Sequence, residues 1–277
     1  MMATLASTPY DFLREIVFAR SQNVLDPARD YLFETRLARL MREHDLNQVE
    51  DLVRHLRMRR NPDLELAIAE AMTINETSFF RDIRPFEVLR TEWLPKLIAA
   101  RQGVRRLRLW SAACSTGQEA YSLAMLLREH FPQLSGWDVR VEGTDISSEM
   151  VARAAAGRYH RIEVNRGLPA RHVVRFFERD GEEWVAKAEI RRLCHFRQSN
   201  LCRPPLPFRE RFDVILLRNV MLYLAPATRR ELLQRVHSVL TPDGVLILGS
   251  TEQPAEMSIW QSSIAGGTTY YQPRSTG

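Results

Sequence analysis

The run Trp110-Ser111-Ala112-Ala113-Cys114-Ser115-Thr116-Gly117-Gln118-Glu119-Ala120-Tyr121-Ser122-Leu123-Ala124-Met125 constrains this chain more than any other stretch. Leu107, Leu109 and Trp110 supply a strand, the small residues a tight loop, and Leu123, Ala124, Leu126 and Leu127 the spacing of a helix. A strand, tight loop and helix in this order commonly hold a nucleotide, because small side chains let a ligand approach the backbone. A pyrophosphate calls for several glycines at the helix N-terminus, and here only Gly117 is present. Glu119, in the first helical turn, complements the helix dipole but repels a phosphate. A cationic, polyhydroxylated ligand such as S-adenosylmethionine suits the loop better. Taken alone, the run also reads as an ordinary capped helix start.

Asp138-Val139-Arg140-Val141-Glu142-Gly143-Thr144-Asp145 alternates as a strand does and ends in an acid. In a doubly wound sheet that position holds the carboxylate that accepts hydrogen bonds from ribose hydroxyls, which makes Asp145 the candidate ribose ligand. Further apolar runs at Phe196 to Gln198, Val214 to Leu217 and Val245 to Leu248 alternate with helical stretches, so a doubly wound α/β sheet is expected. Val214-Ile215-Leu216-Leu217 is apolar throughout, as a central parallel strand covered on both faces should be. Gly267-Thr268-Thr269-Tyr270-Tyr271-Gln272 reads as a last, antiparallel strand. Between residues 161 and 193, Trp184 to Ala188 and Ile190 to Leu193 suggest short strands about Arg179-Asp180-Gly181-Glu182, hence a small β insertion.

Residues 10 to 71 lack strand alternation and suggest three or four amphipathic helices, with Leu32, Phe33, Leu37, Leu40 and Met41 as one apolar stripe. Asn61-Pro62 and the polar stretch before Met72 separate this module from the next. The expected domains are thus a helical one over 1–71 and an α/β one over 72–277. Arg29, Arg36, Arg39 and Arg42 recur beside the apolar stripe as a basic ridge, and Arg54, Arg57, Arg59 and Arg60 form a second cluster. A solvated helix face paired with Glu34, Glu43 and Glu50 is the plainer account of the same residues.

The net charge of +5 over 277 residues implies an acidic partner without naming its class. No window approaches the roughly twenty apolar residues of a membrane span, and the N-terminus lacks a secretory signal pattern, so a cytoplasmic protein without membrane insertion is expected. Cys114, Cys194 and Cys202 show no Cys-x-x-Cys spacing and no nearby paired histidines, which argues for reduced thiols and no metal.

Asn75-Glu76-Thr77-Ser78-Phe79-Phe80-Arg81, the run from Trp110 to Met125, Gly143-Thr144-Asp145-Ile146, Leu217-Arg218-Asn219-Val220 and Gly249-Ser250-Thr251-Glu252 together resemble, in order and spacing, the CheR family of chemotaxis receptor methyltransferases. The resemblance implies transfer of a methyl group from S-adenosylmethionine to glutamate side chains on the cytoplasmic helices of methyl-accepting chemoreceptors, with S-adenosylhomocysteine as product. It implies that Asn75, Thr77 and Arg81 line the donor pocket, Arg81 clamping the methionyl carboxylate. Glu119 and Asp145 would serve the donor's amine and ribose, Asn200 with Leu201 would frame the adenine, and Arg218 with Asn219 would close the floor. The small helical domain, with Arg29, Arg36, Arg39 and Arg42, would meet the acidic receptor helices. In relatives the β insertion can bind a receptor's C-terminal peptide tether through a longer, glycine-containing loop. Only Asp180-Gly181-Glu182-Glu183 stands here, so tether binding is not expected.

The chemistry needs no catalytic triad. A glutamate carboxylate, with a pKa of about 4.3, is already an anion at neutral pH, so orientation and desolvation are the main demands. Arg81 and Tyr223, the latter just past the central strand, are the residues expected at methyl transfer. A nucleic-acid amino methyltransferase would place Pro-Pro-aromatic directly after an Asn or Asp. Here Asn200 is followed by Leu201-Cys202-Arg203-Pro204-Pro205-Leu206, so nucleic acid is not the expected substrate.

Overall fold

A computed structural model describes residues 8–274; the outermost residues of both expected domains lie outside this range. The chain divides into two units, one of residues up to Ile74 with Tyr223–Thr228, the other of Asn75–Leu222 with the residues from Arg229 onward.

In the first unit, helices α1 (Pro9–Ser21), α2 (Tyr31–Glu43), α3 (Val49–Met58) and α4 (Pro62–Ala71) follow from their caps and their apolar stripes. The Thr8 hydroxyl accepts from Asp11 N, while the Asp11 carboxylate accepts from Thr8 N, a reciprocal cap that starts α1. Phe33, Leu37 and Met41 of α2 enter a core with Leu13, Leu52 and Ile68, and Leu32 and Leu40 pack at its margin, as the sequence stripe requires. Asn61-Pro62 departs from the expectation. Instead of opening a linker, Asn61 accepts from Leu64 N and Pro62 occupies the first turn of α4, a position that tolerates a missing N–H.

The second unit comprises α5 (Arg84–Val88), α6 (Leu94–Ala100), β1 (Arg106–Ala112), α7 (Gln118–His130), β2 (Asp138–Asp145), α8 (Ser148–Ala156), β3 (Arg158–His160), α9 (Arg161–Asn165), α10 (Ala170–Phe176), β4 (Phe177–Asp180), β5 (Glu183–Ala186), α11 (Ala188–Arg191), β6 (Cys194–Gln198), β7 (Phe212–Leu217), α12 (Pro226–Val239, begun in the first unit), β8 (Leu240–Leu248), β9 (Trp260–Ala265) and β10 (Thr268–Pro273). Its seven-stranded sheet runs β6-β2-β1-β7-β8-β10-β9. The first five strands are parallel, and β10 pairs antiparallel with both β8 and β9. Strand order reverses at β1, whose neighbours are β2 and β7, so loops after these three strands open a crevice at their carboxyl ends. Helices α7 and α8 lie against β1, β2 and β6.

Glycine lets these layers close. A Cβ on Gly143 in β2 would stand 2.5 Å from the Phe196 ring, and one on Gly117, at φ +91°, would stand 2.9 Å from the Ala154 Cβ of α8. The small second sheet, β3-β5-β4, is the expected β insertion, with β4 and β5 forming its hairpin. Ile190 to Leu193 is not a strand, because Ala188–Arg191 turns as α11 and buries only Ile190.

Candidate active site

The loop between β1 and α7 is backbone-strained. Ala113 and Ser115 join Gly117 at positive φ, 59° and 50°, an arrangement that residues with a Cβ adopt only when the surroundings hold them there. Asp145 supplies part of that hold. Its carboxylate, at the tip of β2, accepts from Ser115 N at 2.8 Å and from Ser147 N at 3.0 Å. Burial pushes the Asp145 carboxyl above the usual carboxylate range, and these backbone donors pull against that rise. The same Ser115 donates its hydroxyl to the Asn75 carbonyl at 2.8 Å, which joins the Asn75–Arg81 segment to the β1 and β2 tips.

That segment is anchored by its aromatics. Phe79 is fully buried and meets Tyr159 and Phe177 edge-on, with centroids at 5.0 and 5.5 Å. Phe80 N donates to the Ser122 hydroxyl of α7, and the Phe80 ring lies over His172. Arg81 follows, half-buried, donating to the Glu76 carbonyl at 3.0 Å. Thr77 sits half-buried between Asn75 and Phe79.

Arg218, just past β7, joins the pieces. Its guanidinium, with a side chain 2% exposed, meets Glu119 at 3.1 Å, Asp82 at 2.7 Å and the Arg81 carbonyl at 2.9 Å. Glu119 also accepts the Ser111 hydroxyl at 2.7 Å. The structure therefore gives Glu119 and Arg218 to each other, a pairing that spacing in the sequence could not show. A buried charge needs such a partner to offset its lost hydration. Asn219 follows at φ 58°. On the β6 side, Asn200 accepts from Cys202 N at 2.9 Å, and the carbonyl of buried Leu201 accepts from Arg235 at 3.0 Å.

Asn75, Arg81, Glu119, Asp145, Arg218 and Asn219 thus belong to one bonded neighbourhood at the carboxyl edge, with Thr77 in the segment between Asn75 and Arg81 and Asn200 and Leu201 on the adjoining loop after β6. Tyr223 groups differently. It closes the short turn Met221–Tyr223, its carbonyl accepts from Val24 N at 2.8 Å, and it lines a pocket of about 90 Å³ in the helical unit with Arg29, Leu32 and Arg36.

The arginine ridge is not continuous. Arg29 stands in the turn before α2, and Arg36 turns inward to donate to the Met72 and Thr73 carbonyls, both at 3.0 Å, because the end of α4 leaves these acceptors unmet. Arg39 pairs with Glu43 one turn on, and Arg42 is exposed.

The arrangement fits S-adenosylmethionine. Arg218 Nε and Asn219 Oδ1 are buried without a protein partner, the condition expected of groups that meet a ligand. Asp145 keeps acceptor capacity for hydroxyl donors beyond the backbone amides it already meets. Cys114, beside this carboxylate, is a buried free thiol whose ionisation burial pushes far up, so it is inert here. Among the described residues, no cluster of His, Cys, Asp and Glu could hold a metal ion, and no helix is long and apolar enough to cross a membrane.

Fold and site together define an α/β methyl-donor-binding domain in a chain that also carries a helical module. Residues 75–270 match the family model "CheR methyltransferase, SAM binding domain", and residues 9–73 match "CheR methyltransferase, all-alpha domain". Similar proteins include chemotaxis protein methyltransferase 1 of Pseudomonas aeruginosa, 37% identical over 252 residues, 89% of this chain and 90% of that protein. Chemotaxis protein methyltransferase 1 of Vibrio cholerae is 38% identical, with 90% of each chain covered. Chemotaxis protein methyltransferase Cher2 of Pseudomonas putida is 35% identical, covering 83% of this chain and 84% of its own. The chain belongs to the CheR family of S-adenosylmethionine-dependent chemotaxis protein methyltransferases.

Proposed function

We propose that this protein transfers the methyl group of S-adenosylmethionine to glutamate side-chain carboxylates on the cytoplasmic helices of methyl-accepting chemoreceptors, forming glutamate methyl esters in chemotaxis adaptation. The observation that carries this reading is the state of the edge carboxylates. Asp145 is bound by the amides of Ser115 and Ser147, Glu119 by Ser111 and Arg218, and Glu252 by loop amides. Each of these three is already engaged with protein groups, and an ionised glutamate acceptor needs no general base.

When bound, S-adenosylmethionine supplies a sulfonium-activated methyl group. In our reading Asp145 accepts the ribose hydroxyls, Asn200 and Leu201 frame the adenine, and Asn75 and Thr77 line the pocket. Arg81 orients the methionyl carboxylate with Glu119, Arg218 and Asn219 completing that end. Tyr223 faces the acceptor, sharing a pocket with Arg29 and Arg36, while Arg39 and Arg42 add positive charge that steers acidic helices. Displacement neutralises charge between carboxylate and sulfonium, so exclusion of water by fixed side chains lowers the barrier.

Incubation with methyl-labelled S-adenosylmethionine and a chemoreceptor cytoplasmic fragment tests the reading. It predicts alkali-labile label that maps to glutamates. Alkali-stable label, or label on nucleic acid instead of receptor, would overturn it.

A further inference from the structure

Gly249-Ser250-Thr251-Glu252 lies at the carboxyl edge of the sheet. The residues follow β8 and fold back on themselves, Glu252 N donating to the Gly249 carbonyl at 2.9 Å. The Glu252 carboxylate is 9% exposed and is filled by backbone donors from two loops. Oε2 accepts from Asn219 N at 2.7 Å and from Gly249 N at 2.9 Å; Oε1 accepts from Val220 N at 2.9 Å and from Leu222 N at 3.3 Å. Three of these amides, those of Asn219, Val220 and Leu222, follow the central strand β7, where Asn219 takes up φ 58°.

Gly249 is part of the same device. A Cβ there would lie 2.6 Å from Glu252 Oε2, 2.9 Å from Asn219 N and 3.1 Å from Asn219 Nδ2, so only glycine admits the carboxylate to this depth. The Asn219 side chain is thereby fixed with its Oδ1 buried and unpartnered. A left-handed non-glycine residue persists only where its surroundings over-determine it, and here the four amide bonds do so.

We propose that Glu252 is a positioning residue for the methyl donor: its carboxylate, admitted by Gly249, sets the backbone of Asn219 to Leu222 and so aims Asn219 at the methionyl end of the ligand. The proposal rests on the donor site alone and is independent of the acceptor. Glu252→Gln keeps the shape but turns an NH2 group towards amide donors. Gly249→Ala keeps the carboxylate and displaces the same amides by volume.

Both variants are titrated calorimetrically with S-adenosylhomocysteine and, separately, with adenosine, which lacks the methionyl part, at temperatures where circular dichroism shows them folded. Affinity for S-adenosylhomocysteine is expected to fall about tenfold or more, as loss of charge-assisted hydrogen bonding warrants. Adenosine affinity is expected to stay within about twofold, and kcat to fall in Glu252→Gln. Parental product affinity and kcat in the folded variants would overturn the proposal. Equal weakening of both ligands, or failure of both variants to fold, would overturn it in favour of a purely structural role. Failure of the parent protein to bind S-adenosylhomocysteine would instead count against the donor site itself.

Discussion

The α/β unit and the helical unit both carry dense charge, and they hold it differently. At the carboxyl edge of the sheet, Asp145, Arg218 and Glu252 are buried, each fixed by backbone groups or an opposite charge. On the helical unit Arg39 and Arg42 are exposed, Arg39 pairing with Glu43 on its own helix, and Arg36 is drawn inward to the carbonyls that follow α4. Fixed, desolvated charge recognises a ligand at short range and is weakly screened, whereas exposed charge acts at a distance and fades with salt. Under the proposed function, the first set would give specificity for the donor and the second would attract an acidic acceptor.

The largest expected effect breaks the first half of this comparison. If Asp145 accepts the ribose hydroxyls as proposed, Asp145→Ala should weaken S-adenosylhomocysteine binding about a hundredfold or more in calorimetry. The same carboxyl gives a pH test. Burial raises its pKa above the usual carboxylate value, and protonation removes its charge and part of its acceptor capacity. Product affinity of the parent protein should therefore fall as pH drops through a window above the ordinary aspartate range, and the Asp145→Asn dependence should be flat there.

The smaller effect sharpens the second half. Arg39→Glu and Arg42→Glu should leave product affinity unchanged and shift stability by no more than about 0.5 kcal/mol, as exposed charges do. They should raise the KM for a receptor fragment severalfold at low ionic strength, an effect that rising salt erases. A matching loss of product affinity would show that the two sets of charge are not separate.

The sequence made β1, the loop before Gly117 and α7 legible because an apolar strand, small turn residues and a helical stripe are all local signals. Asp145 was legible for the same reason, at the end of an alternating strand. The Arg218–Glu119 pair was not, since the partners are distant in the chain and meet only when β1 and β7 pair. Glu252 belongs to a block that carries the family resemblance, but its role was not legible, because that role comes mainly from amides on another loop. Strand β9 escaped notice because Gln261, Ser262 and Ser263 make a polar sheet edge without apolar alternation. Residues 190–193 misled through Ile190 and Leu193, apolar in a short segment where strand and helix turn look alike. Asn61-Pro62 misled in turn because a capping residue followed by proline opens a helix as readily as it marks a loop.

A crystal structure of the complex with S-adenosylhomocysteine tests the central claim most directly. The account predicts the ribose hydroxyls on Asp145, the methionyl end between Arg81 and Asn219, and the Glu252 amide bonds intact. Product seated away from the tips of β1, β2 and β7, or a ribose held by other residues while Asp145 touches only backbone, would contradict it.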